Sequence, residues 1–258
     1  MVDTELLVKE IERLVRKEAE YITVFTHSYG HFKRVADGAV WFVKLLNGSE
    51  HEQQLAYIAG LLHDIVRPAD ENIDHAIASA ERSKDILDRF SVSKDDKKAI
   101  IKAIRDHRLP VKWESTLHQS VYLADKILEQ MGAYLIFRRC MYVGESVTYR
   151  DMPMEEAVNK HFVFRMNRIK KTDFPERFSR LVDYQWKWLY EAAEALKNSK
   201  PWAWEIAQHS YKAGKTHEMS LEELILTFET AHPESAKVKE EAVEYLERKK
   251  FKEFEKLV

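Results

Sequence analysis

In the run LAYIAGLLHDIV, residues 55–66, His63 and Asp64 interrupt a stretch in which nearly every other residue is apolar. A carboxylate there is costly unless it is paired, hydrogen-bonded or bound to a metal. Asp125 faces the same difficulty. It lies four residues after Val121 and three before Leu128, on the inward stripe of a helical pattern. His31 shares a face with Val35 and Phe42, and His107 follows Ile100 and Ile104 at helical spacing. Taken singly, an inward histidine is usually a hydrogen-bonded core residue, and a buried aspartate usually caps a helix or pairs with arginine. Asp125 falls mid-helix, where capping is not open to it. Taken together, these residues would supply a mixed imidazole–carboxylate cluster, the donor set that Mn, Fe, Ni, Co or Zn sites require.

Such a cluster must be carried on helices far apart in sequence. The periodicity predicts a first helix over Asp3–Glu20 and a second over Ser28–Leu46, stopped by Asn47-Gly48. Ser49 caps a third, with Leu55, Ile58, Ala59, Leu62 and Val66 on one side. Pro68 ends it, and Ala69–Ile73 read as a loop. Asp74 is the expected N-cap of a fourth helix reaching Phe90. Ser93 with Asp96 resembles a capping box for a fifth, ending near Arg108. A sixth spans Ser115–Met131, stopped by Gly132, and a seventh Ala133–Val143. Gly144–Met152 reads as a connector and internal boundary. Helices over Pro153–Lys170, Pro175–Asn198, Trp202–Tyr211, Leu221–Thr230 and Glu234–Leu257 complete an all-α reading.

Composition agrees and excludes other classes. Gly (7) and Pro (6) are too few among 258 residues for the turns of a sandwich or barrel. With 41 Lys+Arg against 43 Asp+Glu, the net charge of −2 is no nucleic-acid footprint. One cysteine, Cys140, excludes an internal disulfide and every multi-cysteine zinc motif, and reads as a packing residue. The opening MVDTELLVKEIERL lacks the basic-then-apolar pattern of a signal peptide. No stretch approaches the roughly 18 apolar residues of a membrane span. A cytoplasmic protein is expected.

The order His31 … His63-Asp64 … Asp125 resembles the H…HD…D signature of the HD-domain superfamily of metal-dependent phosphohydrolases. Its flanks, HFKRVADGA, AGLLHDIVRP and YLADKI, resemble that family too. The stretch QSVYLADKILEQMGAYLIFRR is similar to a branch of short bacterial and archaeal HD hydrolases, whose last motif is followed by a Gly and an Arg. The resemblance covers about residues 22–145. It implies a helical HD bundle, with residues 1–21 packing on it and 146–258 as a C-terminal helical extension. It also implies that His31, His63, Asp64 and Asp125 hold one divalent metal. Some HD proteins bind a second through additional histidines, here His75 in DHAIASAE and His107 in IRDHR, with Asp64 bridging.

A metal so held lowers the pKa of bound water, toward about 7 in the best zinc sites. The hydroxide can attack phosphorus while the metal neutralises phosphoryl charge. Arg67, three residues past Asp64, and Lys126, beside Asp125, are placed to meet the remaining charge. Arg34, Arg138 and Arg139 are further candidates. His27 would support His31, and His118 would line the pocket mouth. His51, His161, His209, His217 and His232 read as surface or packing residues.

No GxGxxG or GxxxxGK[ST] appears. The basic cluster Arg165, Arg168, Lys170 and Lys171 has balancing acids nearby. The aromatics Tyr184, Trp186, Trp188, Tyr190, Trp202 and Trp204 read as helix packing rather than base stacking. No nucleic-acid or membrane partner is expected. Val243, Leu246, Phe254 and Leu257 suit a core or a homodimer surface. The expected activity is hydrolysis of a nucleotide or related small phosphate ester. The rivals are a di-iron oxygenase related to myo-inositol oxygenase, which the ligand order H…HD…H…H…D also resembles, and a non-catalytic nucleotide sensor.

Overall fold

The computed structural model describes residues 4–20, 25–67, 73–168 and 170–258. Among them every regular element is helical, and no helix is long and apolar enough to cross a membrane. The chain divides into two compact units. One takes in the described residues of 1–23 and 27–128, the other those of 24–26 and 129–258. The connector read at Gly144–Met152 therefore lies inside the second unit.

The first unit holds α1 (Thr4–Ala19), α2 (Tyr29–Leu45), α3 (Glu50–Leu62), α4 (His75–Leu87), α5 (Lys94–Asp106) and α6 (Thr116–Leu123). Their starts follow local chemistry. Ser49 and Glu52 close a reciprocal capping box at α3, while Asp74 caps α4 by accepting from the Ala76 amide. Ser93 and Ser115 cap α5 and α6 in the same manner. Buried stripes then join the helices: Phe32, Val35, Ala39 and Phe42 of α2, Leu55, Ile58 and Leu62 of α3, Ile100 and Ile104 of α5, and Leu117 and Val121 of α6. Each of these side chains except Ala39 contributes about 1.5–3 kcal/mol by leaving water. The α2–α3 contact is close because Gly60 has no side chain. A Cβ there would stand 2.7 Å from the Ala36 nitrogen and 3.1 Å from the Val35 carbonyl carbon.

Several expected boundaries shift. Helix α3 stops at Leu62, not beyond Val66, because His63 forms its C-cap and turns its ring back onto the Gly60 carbonyl. The predicted Pro68 stop and the 69–72 loop lie outside the described residues, as does Asp3. The expected Ser115–Met131 helix is α6 followed by a π-helical turn over Ala124–Leu128. The expected last helix breaks into α12 (Pro233–Leu246) and α13 (Phe251–Glu255), with Arg248 left-handed at φ 63° between them.

The second unit comprises α7 (Ala133–Glu145), α8 (Met154–Arg168), α9 (Ser179–Lys197), α10 (Pro201–Thr216), α11 (Leu221–Thr227), α12 and α13. Helix α7 is buried along nearly its whole length and packs against α8, α9, α10 and α12. Gly144 and Gly214 permit its close approach to α10. Of the tail aromatics, Trp204 donates from its indole to the Leu196 carbonyl and Tyr184 donates to Glu241, both packing roles.

Gly60→Ala tests the α2–α3 contact. The added methyl meets backbone, which cannot move aside as a side chain can, so urea unfolding should show a loss of about 1–3 kcal/mol. A neutral substitution would mean that the two helices are not held at this distance.

Candidate metal centre

His31 lies in the first turns of α2, and His63 caps the end of α3 with Asp64 next in the turn. His75 opens α4, His107 caps the end of α5, and Asp125 sits in the π-helical turn. The structure brings all six together. His31 Nε2 is 3.2 Å from His63 Nε2, 3.6 Å from Asp64 Oδ2 and 3.9 Å from Asp125 Oδ1. His63 Nε2 is 3.5 Å from Asp64 Oδ2. On the other side of that carboxylate, Asp64 Oδ1 stands 3.5 Å from His75 Nε2 and 3.6 Å from His107 Nε2. All but half-buried His75 are at most 2% exposed.

Tautomers follow from the helix ends. His63 Nδ1 sits 2.7 Å from the Gly60 carbonyl and His107 Nδ1 2.6 Å from the Ile104 carbonyl. A carbonyl only accepts, so each Nδ1 carries the proton and each Nε2 turns a lone pair inward. Burial pushes the His107 pKa down to about 3 and that of His75 to about 4, and depresses His63 as well. Against the opposing effect of burial, Arg67 above all holds Asp64 well below the usual carboxylate range, and Lys126 does the same for Asp125. His63, His75 and His107 are thus neutral imidazoles beside ionised carboxylates, the protonation state metal ligation needs.

These donors fit a divalent transition metal. Two groups, His31–His63–Asp125 and His63–Asp64–His107, each offer ligand atoms within 4.8 Å of one another. Asp64 Oδ1 is buried and accepts no hydrogen bond, the kind of orphaned acceptor that calls for a cation. His63 and His107 also stand at helix C-termini, whose partial negative charge favours one.

Among the cations, Arg67 Nη2 pairs with Asp64 Oδ2, and Lys126 Nζ lies 2.5 Å from Asp125 Oδ2. Arg34 is half-buried on α2. The expectation that Arg138 and Arg139 meet the substrate of this cluster is corrected. Arg138 is fully enclosed in the second unit, donating to the Thr26 and Glu129 carbonyls at 2.9 Å, and Arg139 donates to Gln130. His27 packs edge-on to His31, ring centres 5.6 Å apart. His118 is drawn instead to Asp106, 3.1 Å away. His51, His209 and His217 are exposed, His232 is half-buried, and His161 is buried.

With this geometry in place, comparison with known proteins finds a family likeness over part of the chain. Residues 28–129 match the model of the HD domain. Over that segment the chain is similar to the HD domain. A predicted HD superfamily hydrolase from an uncultured Thermotogales bacterium is 27% identical. That likeness covers 65% of this chain and 94% of the other, with a TM-score of 0.45. Bacillus subtilis YpgQ, solved in complex with ADP, is 19% identical, with a TM-score of 0.55 over 75% of this chain and 98% of its own. No curated protein matches.

Depressed imidazole pKa values make an acid-stability prediction. An unfolded histidine takes up a proton near pH 6.5, whereas folded His107 and His75 refuse one until about pH 3 and 4. In chelator-treated protein, stability should be full above pH 6.5. It should fall as pH drops toward 4, by about 1.4 kcal/mol per pH unit for each such histidine. Urea titrations between pH 7 and 5 should show His107→Asn flattening that slope by about one proton. A slope unaffected by the substitution would mean that His107 titrates normally.

Proposed function

We propose that this protein is a metal-dependent phosphohydrolase acting on a nucleotide or related small phosphate ester, and that the activity resides in the first unit. The observation that carries this reading is Asp64: a buried carboxylate whose two oxygens face different histidines, one oxygen lacking a hydrogen-bond donor. In this reading His31, His63, Asp64 and Asp125 hold one ion. Asp64, His75 and His107 hold a second. The metal would be Mn, Fe, Ni, Co or Zn, supplying Lewis acidity and an activated water.

The chain's own cations take the rest of the work. Arg67 presents a planar fork suited to two phosphoryl oxygens, while Lys126 offers a mobile point charge. Both already reach the cluster, through Asp64 and Asp125. They bind and orient the phosphate and offset its charge where water is largely excluded. Arg34 stands as a weaker member of this set. The ADP carried by YpgQ supports a nucleotide as the substrate class. The opposed pairs around Asp64 also suit two irons, so an iron-loaded, oxygen-consuming protein would favour the oxygenase reading instead.

Separating ligands from phosphate-binding cations tests the assignment. Asp64→Ala and Asp125→Ala should lose bound metal and at least about 100-fold of the hydrolytic rate, since metal assistance is worth several kcal/mol. Arg67→Ala and Lys126→Ala should keep their metal, with kcat/KM down about 10- to 100-fold, the worth of a charged hydrogen bond. Elemental analysis alongside assays on a nucleotide panel reads both. Full metal content and activity in the Asp64→Ala variant would contradict the proposal.

A further inference from the structure

Two ligands of the proposed second ion, His75 and His107, are held unequally. His107 Nδ1 is tied to the Ile104 carbonyl at 2.6 Å, which fixes its ring. His75 makes no such bond. Among the described residues no hydrogen bond holds its Nδ1, and its Nε2 faces Asp64 Oδ1 at 3.5 Å. Where that ring points therefore depends on how the first turn of α4 is placed. The two rings, 5.4 Å apart at their centres, come from different helices.

The residues next to both histidines supply the placement. Asp74 precedes His75, and Arg108 follows His107. Asp74 Oδ1 caps α4 by accepting from the Ala76 amide at 2.9 Å, and its Oδ2 accepts from Arg108 Nη1. One carboxylate thus fixes the start of α4 with one oxygen and fastens it to the end of α5 with the other. The Arg108 and Asp74 side chains are 28% and 37% exposed, so water competes for this bond only in part. At their far ends the same two helices are joined by Asp88 and Lys97, 2.9 Å apart. What Asp74 and Arg108 add is local to the ligands.

On the two-ion reading, on which this inference rests, we propose that Asp74 and Arg108 are a positioning pair for the second ion. They hold His75 and His107 at the separation at which both Nε2 atoms meet one ion beside Asp64. Neither is a ligand; each acts through the histidine beside it. Charge alone predicts a different pattern. A guanidinium repels a nearby cation and a carboxylate attracts it, so a simple field makes Arg108→Gln bind metal more tightly and Asp74→Asn less tightly. Positioning makes both bind less tightly. Asparagine caps a helix about as well as aspartate, so Asp74→Asn removes the ion pair and keeps the cap.

The test is calorimetric titration of the chelator-treated full chain with Mn²⁺, in wild type, both single variants, their double variant and Lys97→Gln as a control. Wild type should take up two equivalents. Asp74→Asn and Arg108→Gln should each weaken the second by about 3- to 10-fold, between the worth of an exposed ion pair and that of a charged hydrogen bond. The first equivalent should stay nearly unchanged, and Lys97→Gln should match wild type at both. The double variant should be no weaker than either single one, because all three lose the same bond. A second equivalent held by Arg108→Gln as tightly as by wild type, or more tightly, would overturn the positioning pair alone. If Arg108→Gln does not fold, Asp74→Asn and the double variant decide. The double variant keeps the net charge of wild type, so wild-type affinity there would overturn the proposal as well. A single equivalent in wild type would instead overturn the two-ion reading, and this inference with it.

Discussion

The first unit is organised around two carboxylates that have been taken out of water. Asp64 and Asp125 are each 2% exposed, and an isolated ionised carboxylate at that depth would be prohibitive. They stay ionised because cations stand beside them. Arg67 and Lys126 pair with them directly, and imidazoles from four helices stand within 4 Å. The arrangement is over-supplied with lone pairs for a site closed by hydrogen bonds alone. It is well supplied for one that admits a divalent cation. The capping and the close α2–α3 contact are what keep those lone pairs convergent.

Helix ends, rather than helix middles, provide most of the geometry. His63 and His107 occupy equivalent positions, each just past the end of a helix, each with Nδ1 on the carbonyl three residues back. That bond fixes the ring plane and the tautomer together. Asp125 is placed by a different device. The π-helical turn inserts extra backbone into the helix and re-aims the residues within it, a feature often found where a helix carries function.

Much of this was legible in the sequence because burying polar residues in apolar stripes leaves a strong pattern. His31, Asp64, His107 and Asp125 stand out on that ground, and His63 follows as Asp64's neighbour. The end of α3 was not legible, because buried Ile65 continues the apolar run past the turn that stops the helix. The π-helical turn was hidden for the same reason: Val121 and Leu128 satisfy a regular stripe whether or not the backbone bulges between them. Arg138 misled because the sequence places it close after the last acidic motif, while its full burial against backbone carbonyls is a tertiary outcome. The pairing of Arg139 with Arg165 on Gln130 joins residues 9 and 35 positions apart in the chain, which no local pattern reveals.

The central claim is that the convergent imidazoles and carboxylates are metal ligands rather than a hydrogen-bonded core. Anomalous diffraction from crystals grown with Mn²⁺ tests it most directly. The account predicts one peak among His31, His63, Asp64 and Asp125, and a second where Asp64 meets His75 and His107, with Nε2 atoms about 2.0–2.3 Å from the ions. A well-diffracting crystal with no anomalous density inside this cluster, and the imidazoles bonded only to protein and water, would contradict it.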